Sequence, residues 1–187
     1  MRTWLWVSLA ALALRAEDSG PVQVALERQQ AGEWQTIDPR TVLKAKERVR
    51  FRLVSQVEGF LYVLNRGSDG GTEQVFPAPG SGREVKVDAG KAYLVPDGER
   101  SFAIDGPAGY DVLYFVVSPK PLGDALSGYT PPKESNLIPK CREGGLRARG
   151  GCLDDRAGLR PRKLKVDSAP SPAFTEPVVY EFRLAHQ

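Results

Sequence analysis

A single histidine, His186, and two cysteines, Cys141 and Cys152, are the side chains of this 187-residue chain best suited to nucleophilic or metal chemistry. Acyl transfer needs a nucleophile held beside a base. The one imidazole lies near the C-terminus, where it reads as a solvated residue on a frayed end. Neither a histidine-based triad nor a cysteine–histidine pair is therefore expected. Structural zinc takes about four ligands, which two cysteines and a distant histidine do not supply. Asp154-Asp155 is the obvious carboxylate pair for glycoside hydrolysis. Neighbours on an extended chain point apart, so the pair reads as solvated charge. Asp69 in Ser68-Asp69-Gly70-Gly71 resembles a calcium loop only faintly, because it lacks the other acidic oxygens such a site needs. It reads as a hairpin turn. Gly80-Ser81-Gly82 is not followed by a helix start that would cradle phosphate, so it reads as a loop. No catalytic residue, metal or cofactor is expected.

Charge is unevenly placed. Residues 17–139 hold fourteen Lys/Arg against seventeen Asp/Glu, whereas residues 140–165 hold nine basic residues against Glu143, Asp154 and Asp155. Both cysteines sit in the basic stretch. In an oxidising compartment two cysteines this close most simply form one disulfide, with two free thiols as the alternative. A bridge closing a loop of this size contributes roughly 3 kcal/mol by the loop-entropy model. Pinned in this way, the loop projects Arg142, Arg147 and Arg149 as candidate binding residues. Their planar forks suit carboxylates and phosphates. An envelope protein with an acidic patch, or an anionic glycan or lipid surface, fits such a loop. Nucleic acid ranks lower, because no aromatics interleave the arginines. The competing reading is a solvated loop whose charge serves solubility. Tyr62, Phe76, Tyr93, Tyr110 and Tyr114 present the same choice between a glycan platform and the core, and core is the commoner use of aromatics on strands.

The compartment is read from residues 1–16. Arg2 precedes an apolar run from Trp4 to Leu14, and Ala16 closes a small-residue exit before Glu17-Asp18-Ser19-Gly20. This is the layout of a cleavable secretory signal, with cleavage after Ala13 or Ala16. The run is well short of the roughly twenty residues of a spanning helix, and no later segment is long and apolar enough to span. The expectation is an exported chain, periplasmic or extracellular. Loss of Arg2 and Arg15 lowers the formal charge of +3 by two.

The elements that must position these residues read as strands. In Arg48-Val49-Arg50-Phe51-Arg52-Leu53, Val49, Phe51 and Leu53 face one way and the arginines the other. Val22, Val24 and Leu26 mark a half-buried first strand, and Trp34-Gln35-Thr36-Ile37 a short extra one. Thr41–Lys46 reads as an uncapped helical turn. Phe60–Leu64 is apolar on both faces and reads as a central strand, with Glu73–Phe76 as its hairpin partner. Val85–Val87 and Ala92–Val95 flank Asp88-Ala89-Gly90-Lys91 and read as a second hairpin. Tyr110–Val117 is the best buried strand. Prolines then punctuate the chain until Val178–Leu184, whose apolar face must return to the domain.

In the middle of the chain, Val49–Leu53, Gly59–Asn65, Gly70 before Val75-Phe76-Pro77, Val95-Pro96, Phe102, the turn Gly106-Pro107-Ala108-Gly109 and Val116-Val117-Ser118-Pro119 form an ordered series of motifs. The series resembles a bacterial domain of unknown function, the one catalogued as four-three-eight-four, over roughly residues 40–120. Lys46-Glu47 stands where that family usually has a Gly-Asp turn. The resemblance implies accessory or interaction duty in exported proteins, or beside caspase-like peptidase or kinase domains, and it offers no catalytic residues. The basic segment lies outside it.

The expected fold is all-β: an antiparallel immunoglobulin-like sandwich of about seven to nine strands. Residues 17–118 form the sandwich, 119–176 a long irregular Pro/Gly-rich excursion, and 177–187 a last strand that completes it. The expected function is a non-enzymatic interaction module, with a carbohydrate-binding accessory domain as the alternative and a hydrolase third.

Overall fold

A computed structural model describes residues 21–123, 126, 158–162 and 176–187. The chain is an all-β sandwich of two antiparallel sheets. In chain order the strands are β1 (Val22–Gln30), β2 (Glu33–Ile37), β3 (Arg48–Ser55), β4 (Gly59–Arg66), β5 (Thr72–Phe76), β6 (Lys86–Val87), β7 (Ala92–Val95), β8 (Phe102–Ala103), β9 (Gly109–Ser118), β10 (Gly158–Arg162) and β11 (Val178–His186). The first sheet runs β2-β1-β3-β7, with β8 also on β3. The second runs β10-β11-β9-β4-β5, with β6 also on β4.

Alternation in β1 and β3 explains the core. Leu26 pairs with Phe51 and Val24 with Leu53, so both apolar sets point to the same side of the first sheet. Leu26, Phe51 and Leu53 meet Leu61, Val63, Phe115, Phe182 and Leu184 of the second sheet. Phe51 stands edge-on to Phe115 at 5.4 Å and to Phe182 at 5.3 Å. Such aromatic pairs each add about 1 kcal/mol beyond their burial.

The second sheet is buried on both faces. Tyr62, Leu64, Tyr110, Val112, Tyr114, Val116, Val179 and Ala185 form a second apolar cluster on its outer side, with Val42, Phe60, Leu122 and Leu126 packed against it. This is why β4 and β9 read as continuous apolar runs without alternation.

Four expectations are corrected. Val85–Val87 and Ala92–Val95 do not form a hairpin: β6 pairs with β4, and β7 pairs with β3 in the other sheet. Residues 88–91 cross between the sheets, held by Gly90 N–H donating to Ser55 O at 2.7 Å and Asp88 N–H donating to the Tyr93 hydroxyl at 2.8 Å. Thr41–Lys46 is no helical turn, because Leu43 forms a parallel bridge with His186. His186 is not frayed but 2% exposed, since it closes β11 against β9. The excursion after Ser118 is not wholly irregular either: β10 lies within it and pairs with β11. The short strand around Trp34 is present as β2. The expected all-β antiparallel sandwich is what the structure has; among the described residues it comprises eleven strand segments, two of them only two residues long.

Candidate functional site

The two outer faces differ in kind. The second sheet's outer face is largely covered by the cluster just described, apart from one cavity, whereas the first sheet's is open: Gln23, Thr36, Arg48, Arg52, Ala92 and Ala103 are exposed on it. Because Phe51 points inward, Arg48, Arg50 and Arg52 point outward along β3. Alternate residues of a strand stand roughly 7 Å apart, so the three cations form a row.

Glu27 of β1 lies directly across from Arg50. Its carboxylate divides between two arginines. Arg50 Nε donates to Oε2 at 2.6 Å and Arg52 Nε donates to Oε1 at 2.7 Å. The Arg50 guanidinium also lies over the Trp34 ring, 4.3 Å from its centroid, a cation–π contact. Burial pushes the Glu27 carboxyl up. The hydrogen bonds and charges of Arg52 and Arg50 outweigh it and hold the group below its ordinary value. The Arg50 side chain is 12% exposed and that of Arg52 47%. Arg48 Nη1 donates to Ser101 Oγ at 3.1 Å.

At one end of the sandwich, His186 Nε2 is 3.3 Å from Asp111 Oδ1, which also accepts the Ser68 backbone N–H at 2.9 Å. This resembles a base with its orienting carboxylate. The Ser68 hydroxyl, however, donates to Pro107 O at 2.8 Å, so it forms no nucleophile–base contact there. Beside this pair lies a cavity of about 300 Å³ lined by Asn65, Ser68, Asp69, Glu73, Asp105 and Asp111. Asp69 Oδ1 is engaged by Gly71 N–H at 2.8 Å, as its hairpin-turn reading requires. Among the described residues no three His, Cys, Asp or Glu are grouped to hold a metal ion. A second cavity, about 720 Å³, runs between β5 and the 78–83 loop over Tyr62 and Leu64. The Tyr62 hydroxyl donates to Glu84 and accepts Leu122 N–H at 2.9 Å. Burial, with the Glu84 carboxylate, raises its pKa.

Cys141, Cys152, Arg142, Arg147, Arg149 and the Asp154-Asp155 pair lie outside the described residues. Gly80-Ser81-Gly82 is a loop, with both glycines at positive φ. Of the five aromatics weighed as a platform, Tyr62, Tyr110 and Tyr114 are buried under the second sheet's outer cluster, Phe76 is in the core, and Tyr93 packs against that core. The aromatic that does sit on an open face is Trp34. The sequence reading placed the arginines of β3 outward but missed Glu27 and Trp34. The only available signal was parity: Glu27 alternates with the apolar Val24 and Leu26 side of β1.

Residues 42–121 match the model of a family described as a domain of unknown function (DUF4384). The match takes in β3 to β9 and leaves β1, β2, β10 and β11 outside. Arg50 and Arg52 therefore lie within the matched segment, and Glu27 and Trp34 outside it. Among solved structures, the crystal structure of the C-terminal domain of wzt is similar at 13% identity and a TM-score of 0.40, over 90% of this chain and 75% of that one. No curated protein matches the chain.

Proposed function

We propose that this chain is an exported, non-enzymatic interaction module of the bacterial envelope or extracellular space. Its contact surface is the open face of the first sheet, with the basic segment from Cys141 to Cys152 as a second charged element. The observation that carries this reading is the asymmetry of the sandwich. One outer face is largely covered by packing apart from the cavity over Tyr62 and Leu64, while the other presents Arg48 and Arg52 to solvent on a central strand, with Arg50 between them. Side chains already held in place lose less entropy when a partner binds. Arginine is also enriched where interfaces concentrate their binding energy.

The test is capture of partners from an envelope extract at low salt. Four proteins are compared: the full chain, an Arg48→Ser/Arg52→Ser variant, a chain with segment 141–152 replaced by a neutral Gly/Ser linker, and the combination. All must first show the same thermal transition. A partner retained by the full chain and lost with Arg48 and Arg52 supports the sheet face. One lost only with the loop moves the contact to residues 141–152. Equal capture by all four sinks the reading.

A further inference from the structure

We infer that the Arg50–Glu27–Arg52 unit beside Trp34 is a carboxylate-binding site for an acidic glycan. The assignment rests on the interaction reading above and names the partner of that same face.

Glu27 is shared between two Nε atoms, so one buried carboxylate holds two guanidinium groups side by side. Among the described residues, no protein group takes a terminal Nη atom of Arg50 or Arg52 in a hydrogen bond or ion pair. Arg52, 47% exposed, therefore spends its inner nitrogen on Glu27 and keeps its outer nitrogens for a ligand, while Arg50, 12% exposed against Trp34, holds Glu27 and the indole in place. Such donors, fixed in advance, suit the planar geometry of an oxyanion. Around the pair the face carries Arg48, the apolar Ala92 and Ala103, and a group of hydrogen-bonding side chains on β1 and β2. Gln29 pairs across the strands with Trp34, and Thr36 with Glu27; Gln23 is exposed further along β1.

This mixture selects among anions. Glu27 cancels one of the two charges it organises, leaving a modest surplus beside a half-buried indole and a set of amide and hydroxyl groups. A polyphosphate or nucleic acid backbone draws its affinity from many neutralised phosphates, which one Arg pair and Arg48 do not provide. A sugar carrying one carboxylate per ring matches the face better. Its acid meets the Arg52 fork, its hydroxyls meet Gln29 and Thr36, and its C–H face lies against Trp34.

Trp34 makes the test direct. The chain has three tryptophans, Trp4, Trp6 and Trp34, so the full chain carrying Trp4→Phe and Trp6→Phe reports emission from Trp34 alone. It is titrated with an oligogalacturonide, with the same oligosaccharide after reduction of its carboxyls, and with a polyphosphate of equal charge. The expected result is a saturable change in Trp34 emission with the oligogalacturonide only. Binding should weaken about tenfold in Arg52→Gln, and Arg52→Lys should recover only part of the loss, because lysine keeps the charge without the fork. Equal binding of the reduced oligosaccharide overturns the assignment, as does unchanged binding in Arg52→Gln. Tighter binding of polyphosphate overturns it in favour of a phosphate-rich partner. If none of the three binds while Arg48→Ser/Arg52→Ser still abolishes capture from the extract, the glycan assignment falls and the interaction reading stands. If that variant leaves capture unchanged as well, the sheet-face contact falls with the glycan assignment, and the interaction reading survives only through a partner lost with segment 141–152.

Discussion

Leu43 and His186 lie side by side as a parallel β-bridge. Leu43 N–H donates to Ala185 O at 2.9 Å, Gln187 N–H donates to Leu43 O at 3.0 Å, and Ala45 N–H donates to Gln187 O at 3.0 Å. These bonds tie the last residues of β11 to a segment far upstream and convert an apparent chain end into part of the core. Leu43 is fully buried. Leu43→Ala is expected to cost about 3 kcal/mol, from lost transfer energy and the cavity left behind. Urea unfolding checks this; a loss below about 1 kcal/mol would mean that the bridge is a marginal contact.

Lys46 adopts φ +69°. Its N–H donates to Ile104 O at 2.7 Å, so the turn is fixed by the fold and not by the residue that occupies it. A side chain in the left-handed region costs roughly 1–2 kcal/mol that glycine avoids. Lys46→Gly should therefore stabilise the protein by about 1 kcal/mol and raise Tm by about 2–4 °C. Lys46→Ala, which keeps a Cβ, should give little. Calorimetry on the pair decides between a backbone effect and loss of the lysine charge.

Gly59 opens β4 where β9 passes closest. A Cβ there would sit 2.6 Å from Ser118 O and 2.9 Å from Val117 Cγ1. Its neighbour is backbone in a central pair of strands and cannot swing aside. Gly59→Ala should cost about 2–3 kcal/mol through forced separation of β4 and β9. Gly98→Ala tests a contrasting case: it has no atom within 4 Å of the new Cβ but a φ of +68°, so its penalty is backbone strain alone. A denaturation series that ranks Gly59→Ala no worse than Gly98→Ala would contradict the close approach.

Glu27 predicts a pH dependence. Its folded pKa is held below the ordinary 4.5 by Arg52 and Arg50 against the opposing effect of burial. Below that pKa the folded state must take up a proton it holds poorly. The stabilisation is therefore complete above about pH 4.5 and is lost as pH falls through the depressed folded value. At pH 7, Glu27→Gln should be less stable by about 2 kcal/mol. The gap to wild type should close progressively below pH 4.5. Parallel stability curves for the two proteins between pH 7 and 3 would rule out this source of acid sensitivity.

Much of the fold is legible along the chain because strands carry their own period. The alternation of Val49, Phe51 and Leu53 with three arginines marks β3 and its inward face. The unbroken apolar runs of β4 and β9 show that both of their faces are buried, and Asn65–Gly71 declares the β4–β5 hairpin because its turn chemistry is local. What a strand cannot encode in its own residues is which neighbour it meets. Ala92–Val95 has the same pattern whether it folds back on β6 or crosses to β3, and only the crossing at residues 88–91 decides. Thr41–Lys46 lacks a period of its own and takes its shape from β11.

The candidate site follows the same division. The types of Arg50 and Arg52 and their outward direction are properties of one strand, readable from alternation. Their organisation is not: Glu27 lies 23 and 25 positions away in sequence, and only the β1–β3 register places its carboxylate between the two Nε atoms. A one-residue slip would turn Glu27 into the core and leave both arginines without it. Local sequence determined which side chains face solvent, through the two-residue period of the strand. Tertiary structure decided which of them share a charge, because register is a property of two strands together and is set by the core they bury between them.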